Sequence, residues 1–244
     1  MTDAANAATA GDRPAAARRG RLLVFEGGEG VGKSTQVALL VDRLAALGVP
    51  HLSLREPGGT ALGDEIRRLL LDPAREDVAA RAEALLFMAS RAQLVEREIR
   101  PALARGDVVV LDRFFLSTYA YQAAGRGLPE AEVRHANRFA TGGLVPDLTL
   151  LLELPAGGGL ARADARGGRD RMERSGDDFH ARVVAAFDEF AGAAWQSAHP
   201  ECGPIERVDA GGGAREVHVR VVQALASRWP ETFAPLSRSH QGSS

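Results

Sequence analysis

Residues 22–40 read LLVFEGGEGVGKSTQVALL, and this stretch carries the first reading of the chain. An apolar run from Leu22 to Phe25 has the character of a buried strand. A glycine-rich segment follows, and beyond it Val37, Leu40, Val41, Leu44 and Leu47 recur at helical spacing until Gly48 ends the pattern. The segment between them, Gly27, Gly28, Glu29, Gly30, Val31, Gly32, Lys33, Ser34 and Thr35, fits the phosphate-cradling pattern GxxxxGK[ST]. Backbone N–H groups of such a loop and the helix N-terminus behind it attract phosphate, Lys33 adds a full charge, and Ser34 offers a metal-facing hydroxyl. ATP binding is expected here. The fate of the γ-phosphate is left open, and Glu29 is an acid in a loop built to attract anions.

Further along, DVVVL (107–111) and DLTLLLEL (147–154) read as two more buried strands, with HLSL (51–54) and PIERV (204–208) as weaker ones. They alternate with helical patterns, the longest from about Val78 to Arg100, where Pro101 predicts a kink or break. Near the C-terminus, Val221, Val222, Leu225 and Trp229 repeat the helical spacing. Strand, glycine loop and helix in this order predict an α/β fold. Its expected form is a parallel five-stranded sheet flanked by helices in three layers, with the loop at the sheet's carboxyl edge.

Length and charge narrow the class. The 244 residues suit one domain, and a formal charge of −2 supplies no basic field for nucleic acid or anionic membrane. No apolar run approaches the roughly 18 residues of a membrane span. The single cysteine, Cys202, fits a reducing, cytoplasmic compartment. Residues 1–20 and 231–244 read as polar, turn-rich, disordered tails around a domain at 21–230.

Asp112 closes an apolar strand in LDRF, the context of a magnesium-supporting carboxylate. Arg113 beside it aims a bidentate phosphate clamp into the same cleft. A kinase needs a second anion site, and the candidates are Arg55, Arg91, Arg113 and the arginines of LARADARGGRDRMERS (160–175). That run is read either as a solvated face or as a closing lid, about 160–176, that neutralises triphosphate charge. Phe87 and Arg91, four residues apart, share a helical face. Spacing alone favours a core phenylalanine and a solvated arginine over a base-stacking pair. The six histidines show no ligand spacing, so no histidine or cysteine chemistry is expected.

Taken together, FEGGEGVGKST, REPGGT, AEALLFMASRAQL, LDRFFLSTYAYQ, GRG, PDLTLLLEL and DRME resemble the thymidylate kinases, in the order and approximate spacing of that family. The resemblance covers nearly everything between the tails. It follows the bacterial pattern, in which the catalytic arginines lie in the lid. It implies a nucleoside monophosphate kinase fold, transfer from ATP to dTMP with Mg²⁺, and a homodimer packed through helices. By position, Lys33 and Ser34 would hold ATP and magnesium with Asp112, and Arg113 would grip the dTMP phosphate. Phe87 would stack on thymine, Arg91 would meet a carbonyl edge, and Ser117 and Thr118 would face the base. Tyr121 and Gln122 would lie near sugar and base, with Tyr121 excluding a ribose, and Glu29 would contact the 3′-hydroxyl region. Arg55 counts among the acceptor residues, and Arg166 and Arg171, ahead of Arg162 and Arg169, are the implied lid catalysts. Glu153 stands where the family commonly has aspartate, Ala123 replaces a usual glycine, and Asp164 interrupts the basic run. The alternatives are a kinase for dUMP or UMP, and a P-loop ATPase without an acceptor.

Overall fold

The computed structural model describes residues 19–75, 77–154 and 170–238. The N-terminal tail, lid residues 160–169 and residues 239–244 lie outside this set. In chain order the elements begin with β1 (Arg21–Glu26), α1 (Lys33–Ala46), β2 (His51–Arg55), α2 (Ala61–Leu71) and α3 (Ala80–Leu94). A π-helical turn (Val95–Ile99) leads into α4 (Arg100–Arg105), β3 (Val108–Asp112) and α5 (Phe115–Thr118). A second π-helical segment (Tyr119–Gly125) precedes α6 (Glu130–Thr141) and β4 (Leu148–Glu153). The chain closes with α7 (Asp177–Phe190), α8 (Ala193–Ala198), β5 (Ile205–Asp209), α9 (Ala214–Arg228) and α10 (Pro230–Arg238).

The five strands are parallel, in the order β2-β3-β1-β4-β5. Alternation along the central strands divides the core. Leu22, Val24, Val109, Leu111 and Leu151 face one apolar layer with Leu94, Phe115, Tyr119 and Phe187. Leu23, Phe25, Val110, Leu150 and Leu152 face the other, with Leu40, Leu44, Val221 and Leu225. Each fully buried Leu contributes roughly 1.5–3 kcal/mol of transfer free energy, so both faces of the sheet demand a helical cover. HLSL and IERV are the weaker strand signals because β2 and β5 are edges with only partly buried residues.

Two expectations are corrected. Pro101 neither kinks nor ends the helical block; it sits in the first turn of α4, directly after the π-helical turn. A residue without an N–H fits a helix start, and the wider turn before it relieves the missing hydrogen bond. The chain from 231 to 238 is not a tail but the helix α10. Phe233 and Leu236, three residues apart, bury 0% and 1% exposed side chains in the layer that holds α1 and α9. The polar residues around them hid that short apolar stripe.

The topology brings the C-terminal ends of β1 and β3 side by side, with Phe25 opposite Asp112. The glycine loop and the Asp112-Arg113 pair therefore leave the sheet at the same edge. Gly48, at φ 64°, ends α1 as the sequence pattern anticipates.

Candidate active site

The glycine loop begins at Gly27 with φ 137°, where a β-carbon would collide with the Leu152 carbonyl of β4. Only glycine satisfies both demands. Gly32, also at positive φ, caps α1, and the helix's first N–H groups point out of its end with no intrahelical acceptors. Lys33 Nζ folds back over the loop, donating to the carbonyls of Gly27 at 2.9 Å and Gly28 at 2.6 Å. Burial lowers its pKa to about 8, helped by the nearby Arg113 charge and opposed by Glu29 and Asp112.

An open cleft of about 280 Å³ lies at this edge of the sheet, near the low end of the roughly 300–1,000 Å³ usual for small-molecule sites. One wall is the loop, with Glu29, Gly30, Gly32, Lys33, Ser34 and Thr35. Ser34 Oγ donates to Asp112 Oδ2 at 2.6 Å, placing a hydroxyl and a carboxylate together at its mouth. Among the described residues, no group of three or more His, Cys, Asp or Glu gathers as a metal cage.

The opposite wall is cationic and aromatic: Arg55, Arg67, Arg113, Phe87, Tyr121 and Gln122 all line it, with Thr118 and Ser117. Arg113 has φ 71°, a left-handed conformation that costs a side-chain-bearing residue of order 1–2 kcal/mol. It is held by its own N–H to Phe25 O at 2.9 Å, and by Nη2 to Glu29 Oε1 at 2.6 Å and Nη1 to Ser117 Oγ at 3.0 Å. Burial works against its charge, but Glu29, Tyr121, Asp112 and Glu26 outweigh that and hold its pKa well above the ordinary value. Tyr121 donates its hydroxyl to the same Glu29 oxygen at 2.6 Å, and burial pushes its pKa up, so it stays a donor.

Arg91 overturns the reading of a solvated arginine. It is 2% exposed, and its five N–H donors go to Glu56 Oε2 twice, Thr118 Oγ1 at 2.9 Å, Asn137 Oδ1 and the Phe114 carbonyl at 2.8 Å. The guanidinium thereby ties β2's end, α3, α5 and α6 behind the cleft wall. Phe87, one turn earlier, is only partly buried and faces the cleft, so the core-phenylalanine reading fails too.

Arg171 is corrected as well. Implied as a catalytic lid charge, it is buried outside the cleft lining, with Nη2 at 2.7 Å from Glu83 Oε2 and Nε donating to Leu70 O at 2.7 Å. Glu83, fully buried, also accepts from Gln122 Nε2 at 3.0 Å and from Arg126 through both oxygens. These donors outweigh burial and hold its pKa below the ordinary carboxylate value. Arg171 thus braces the wall that carries Gln122. Its commitment to Glu83 is not legible from the arginine-rich run around it. Arg166, Arg162 and Arg169 lie outside the described residues. Gly27, Gly28 and Val31 shape the loop from behind without lining the cleft.

Sequence reading missed Arg67, Glu56, Asp170, Met172 and Glu173 at the cleft. Arg67 donates to Pro57 O at 2.9 Å, and burial followed by the Arg55 charge lowers its pKa. An arginine on an amphipathic helix reads as solvated, and nothing local separates Arg67 from its neighbour Arg68. Glu153, where the resemblance left a departure, turns to Arg207 on β5 at 2.6 Å and does not line the cleft.

A parallel sheet of this order, a phosphate loop at its carboxyl edge and a cationic second wall define a P-loop nucleoside monophosphate kinase. The family model described as thymidylate kinase matches residues 25–201. A thymidylate kinase from Synechococcus sp. is 49% identical over 210 residues, 85% of this chain and 95% of that protein. One from Cutibacterium acnes is 47% identical over 182 residues, 75% and 85% of the two chains. The crystal structure of the thymidylate kinase from Ehrlichia chaffeensis superposes with a TM-score of 0.66 at 26% identity, covering 84% and 98%. The chain belongs to the thymidylate kinase family.

Proposed function

We propose that this chain transfers the γ-phosphoryl group of ATP to dTMP, giving ADP and dTDP. The observation that carries the reading is the pair of facing anion sites in one cleft. Lys33 and the glycine loop form one, and Arg55, Arg67 and Arg113 form the other, near enough for Arg113 to perturb Lys33. An ATPase that activates water has no use for the second.

The attacking oxygen belongs to a phosphate monoester whose second pKa is about 6, so it is largely anionic at neutral pH and needs no general base. The obstacle is the meeting of two polyanions. Arg113 clamps the acceptor phosphate, Arg55 and Arg67 add charge beside it, and Lys33 moves from its loop carbonyls to the β- and γ-phosphates. Phe87 stacks on the base and Thr118 faces it. Arg91 reaches a base carbonyl only by exchanging one of its protein partners, so its first duty is to hold Thr118 and Phe114. Glu29 and Tyr121 form the sugar side, where the ring disfavours a ribose. Arg166 supplies the lid charge.

The Ser34–Asp112 pair fits Mg²⁺, since a hydroxyl and a carboxylate are hard oxygen donors and the ion keeps water and phosphate oxygens as its other ligands. When bound, the ion supplies charge neutralisation between the β- and γ-phosphates. Among the described residues no helix is long and apolar enough to cross a membrane, in keeping with a cytoplasmic enzyme. Exposed Leu62 and Leu69 on α2, Leu85 on α3 and Phe139 on α6, the last 91% exposed, favour a homodimer packed through these helices.

The test is an ADP-release assay with a panel of nucleoside monophosphates. The reading expects dTMP to be preferred over dUMP and UMP; ATP turnover indifferent to every monophosphate would overturn it.

A further inference from the structure

Arg113 sits in a strained backbone conformation, and two carboxylates reach it by different routes. Glu29 bonds it directly. Glu26 does so at one remove. Glu26 is the last residue of β1 and is 0% exposed. Its Oε1 accepts the backbone N–H of Phe114 at 2.7 Å and of Ser117 at 3.0 Å, while Oε2 accepts the Ser117 hydroxyl at 2.7 Å. Ser117 Oγ in turn accepts from Arg113 Nη1 at 3.0 Å.

Buried carboxylates need such donors, and all three come from the short segment that follows Arg113. We propose that Glu26 is a positioning residue for the acceptor clamp, linking the strand that feeds the phosphate loop to the Arg113 guanidinium through Ser117. This rests on the reading of Arg113 as the clamp for the acceptor phosphate. The polarity of the relay is set by charge. A carboxylate can only accept, so it draws the Ser117 proton toward itself and turns the hydroxyl's lone pairs to Arg113. Ser117 is then fully committed, its proton to Glu26 and its oxygen to Arg113. Its part is orientation, and the contact with the base falls to Thr118.

An amide at position 26 keeps the volume and one acceptor for the two backbone N–H groups. It places an NH₂ against Ser117, so the serine proton is pushed toward Arg113 and the relay breaks. The experiment measures steady-state kinetics of the full chain, E26Q, S117A and the double variant, varying dTMP at saturating Mg·ATP and the reverse, with thermal midpoints alongside. E26Q is expected to lower kcat/KM for dTMP about tenfold to a hundredfold, the loss typical of a hydrogen bond to a charged group, with KM for ATP within about twofold of the parent. In the S117A background, E26Q is expected to add no more than about twofold, since the relay is already cut.

Equal losses toward both substrates, or the same E26Q factor in both backgrounds, overturn the proposal. S117A keeps the Glu26 carboxylate and both backbone bonds, so an unchanged KM and kcat for dTMP in that variant overturns it even if E26Q fails to fold. A parent chain inactive on dTMP would sink the acceptor assignment itself. An active parent with indifferent E26Q and S117A would sink only the relay.

Discussion

Arg113 Nη2 lies 2.6 Å from Glu29 Oε1, and the Tyr121 hydroxyl reaches the same oxygen, so the acid of the phosphate loop and the arginine of the opposite wall meet across the cleft. Glu29 is therefore no stray charge in an anion site. It orders the cation that will face the acceptor. Removing the guanidinium is expected to cost about 10²- to 10³-fold in kcat/KM for dTMP, as for other preorganised charge contacts, with the fold retained. Because φ at this position is 71°, Arg113→Gly should be more stable than Arg113→Ala by about 1 kcal/mol. Urea titrations of the two variants check this, and equal midpoints would remove the strain argument.

Lys33 gives a pH signature. Its pKa is lowered from 10.5 to about 8 by burial, so the free enzyme loses this charge as pH rises through about 8. The kcat/KM for ATP should fall above that value, whereas kcat should hold to higher pH because bound phosphates restore the charged form. For stability the sign is opposite. The charged lysine is penalised in the folded state below pH 8, the unfolded chain binds more protons between about 8 and 10.5, and this group alone makes folding more favourable across that window. A kcat/KM profile flat to pH 10 would contradict the assignment.

Phe87→Ala should raise KM for dTMP far more than KM for ATP, by roughly tenfold to a hundredfold on the loss of about 1–3 kcal/mol of base stacking. Equal shifts for both substrates would return Phe87 to the core.

Asp112→Asn removes the charge that faces Ser34. The Mg²⁺ concentration for half-maximal rate is expected to rise about tenfold or more, with little change in thermal midpoint. An unaltered Mg²⁺ requirement would place the metal elsewhere.

Arg67 and Arg171 should separate function from stability. Arg67→Met is expected to raise KM for dTMP at nearly unchanged stability, since Arg67 lines the cleft and bonds only one carbonyl there. Arg171→Met leaves Glu83 buried with one guanidinium fewer and should cost about 2 kcal/mol, less than a wholly orphaned ion because Arg126 and Gln122 stay. Denaturant midpoints beside kinetics of the two variants give the contrast.

The central strands and the phosphate loop were legible because burial on both faces leaves unbroken apolar runs, as at Leu22–Phe25 and Val108–Leu111. Asp112 and Arg113 were legible because a charged pair ending such a run has few structural uses. Long-range commitments were not. The arginines at 91 and 171 look alike in sequence to those of a lid or a solvated face, and only the fold brings Glu56 and Glu83 to them from segments 35 and 88 residues away. The helix at 230–238 was lost for a different reason: two apolar residues among serine, proline and arginine carry too weak a periodicity.

The π-helical segment Tyr119–Gly125 has a consequence for how this cleft tolerates change in chain length. Its widened turn lets Ser117, Thr118, Tyr121 and Gln122 share one wall while Arg126, just beyond, still meets Glu83. Deleting a single residue there would tighten it to an ordinary helix and rotate everything downstream by about 100°. Gln122 and Arg126 would then leave Glu83 together. The wall behaves as one indivisible length of chain, open to exchange of side chains and closed to indels.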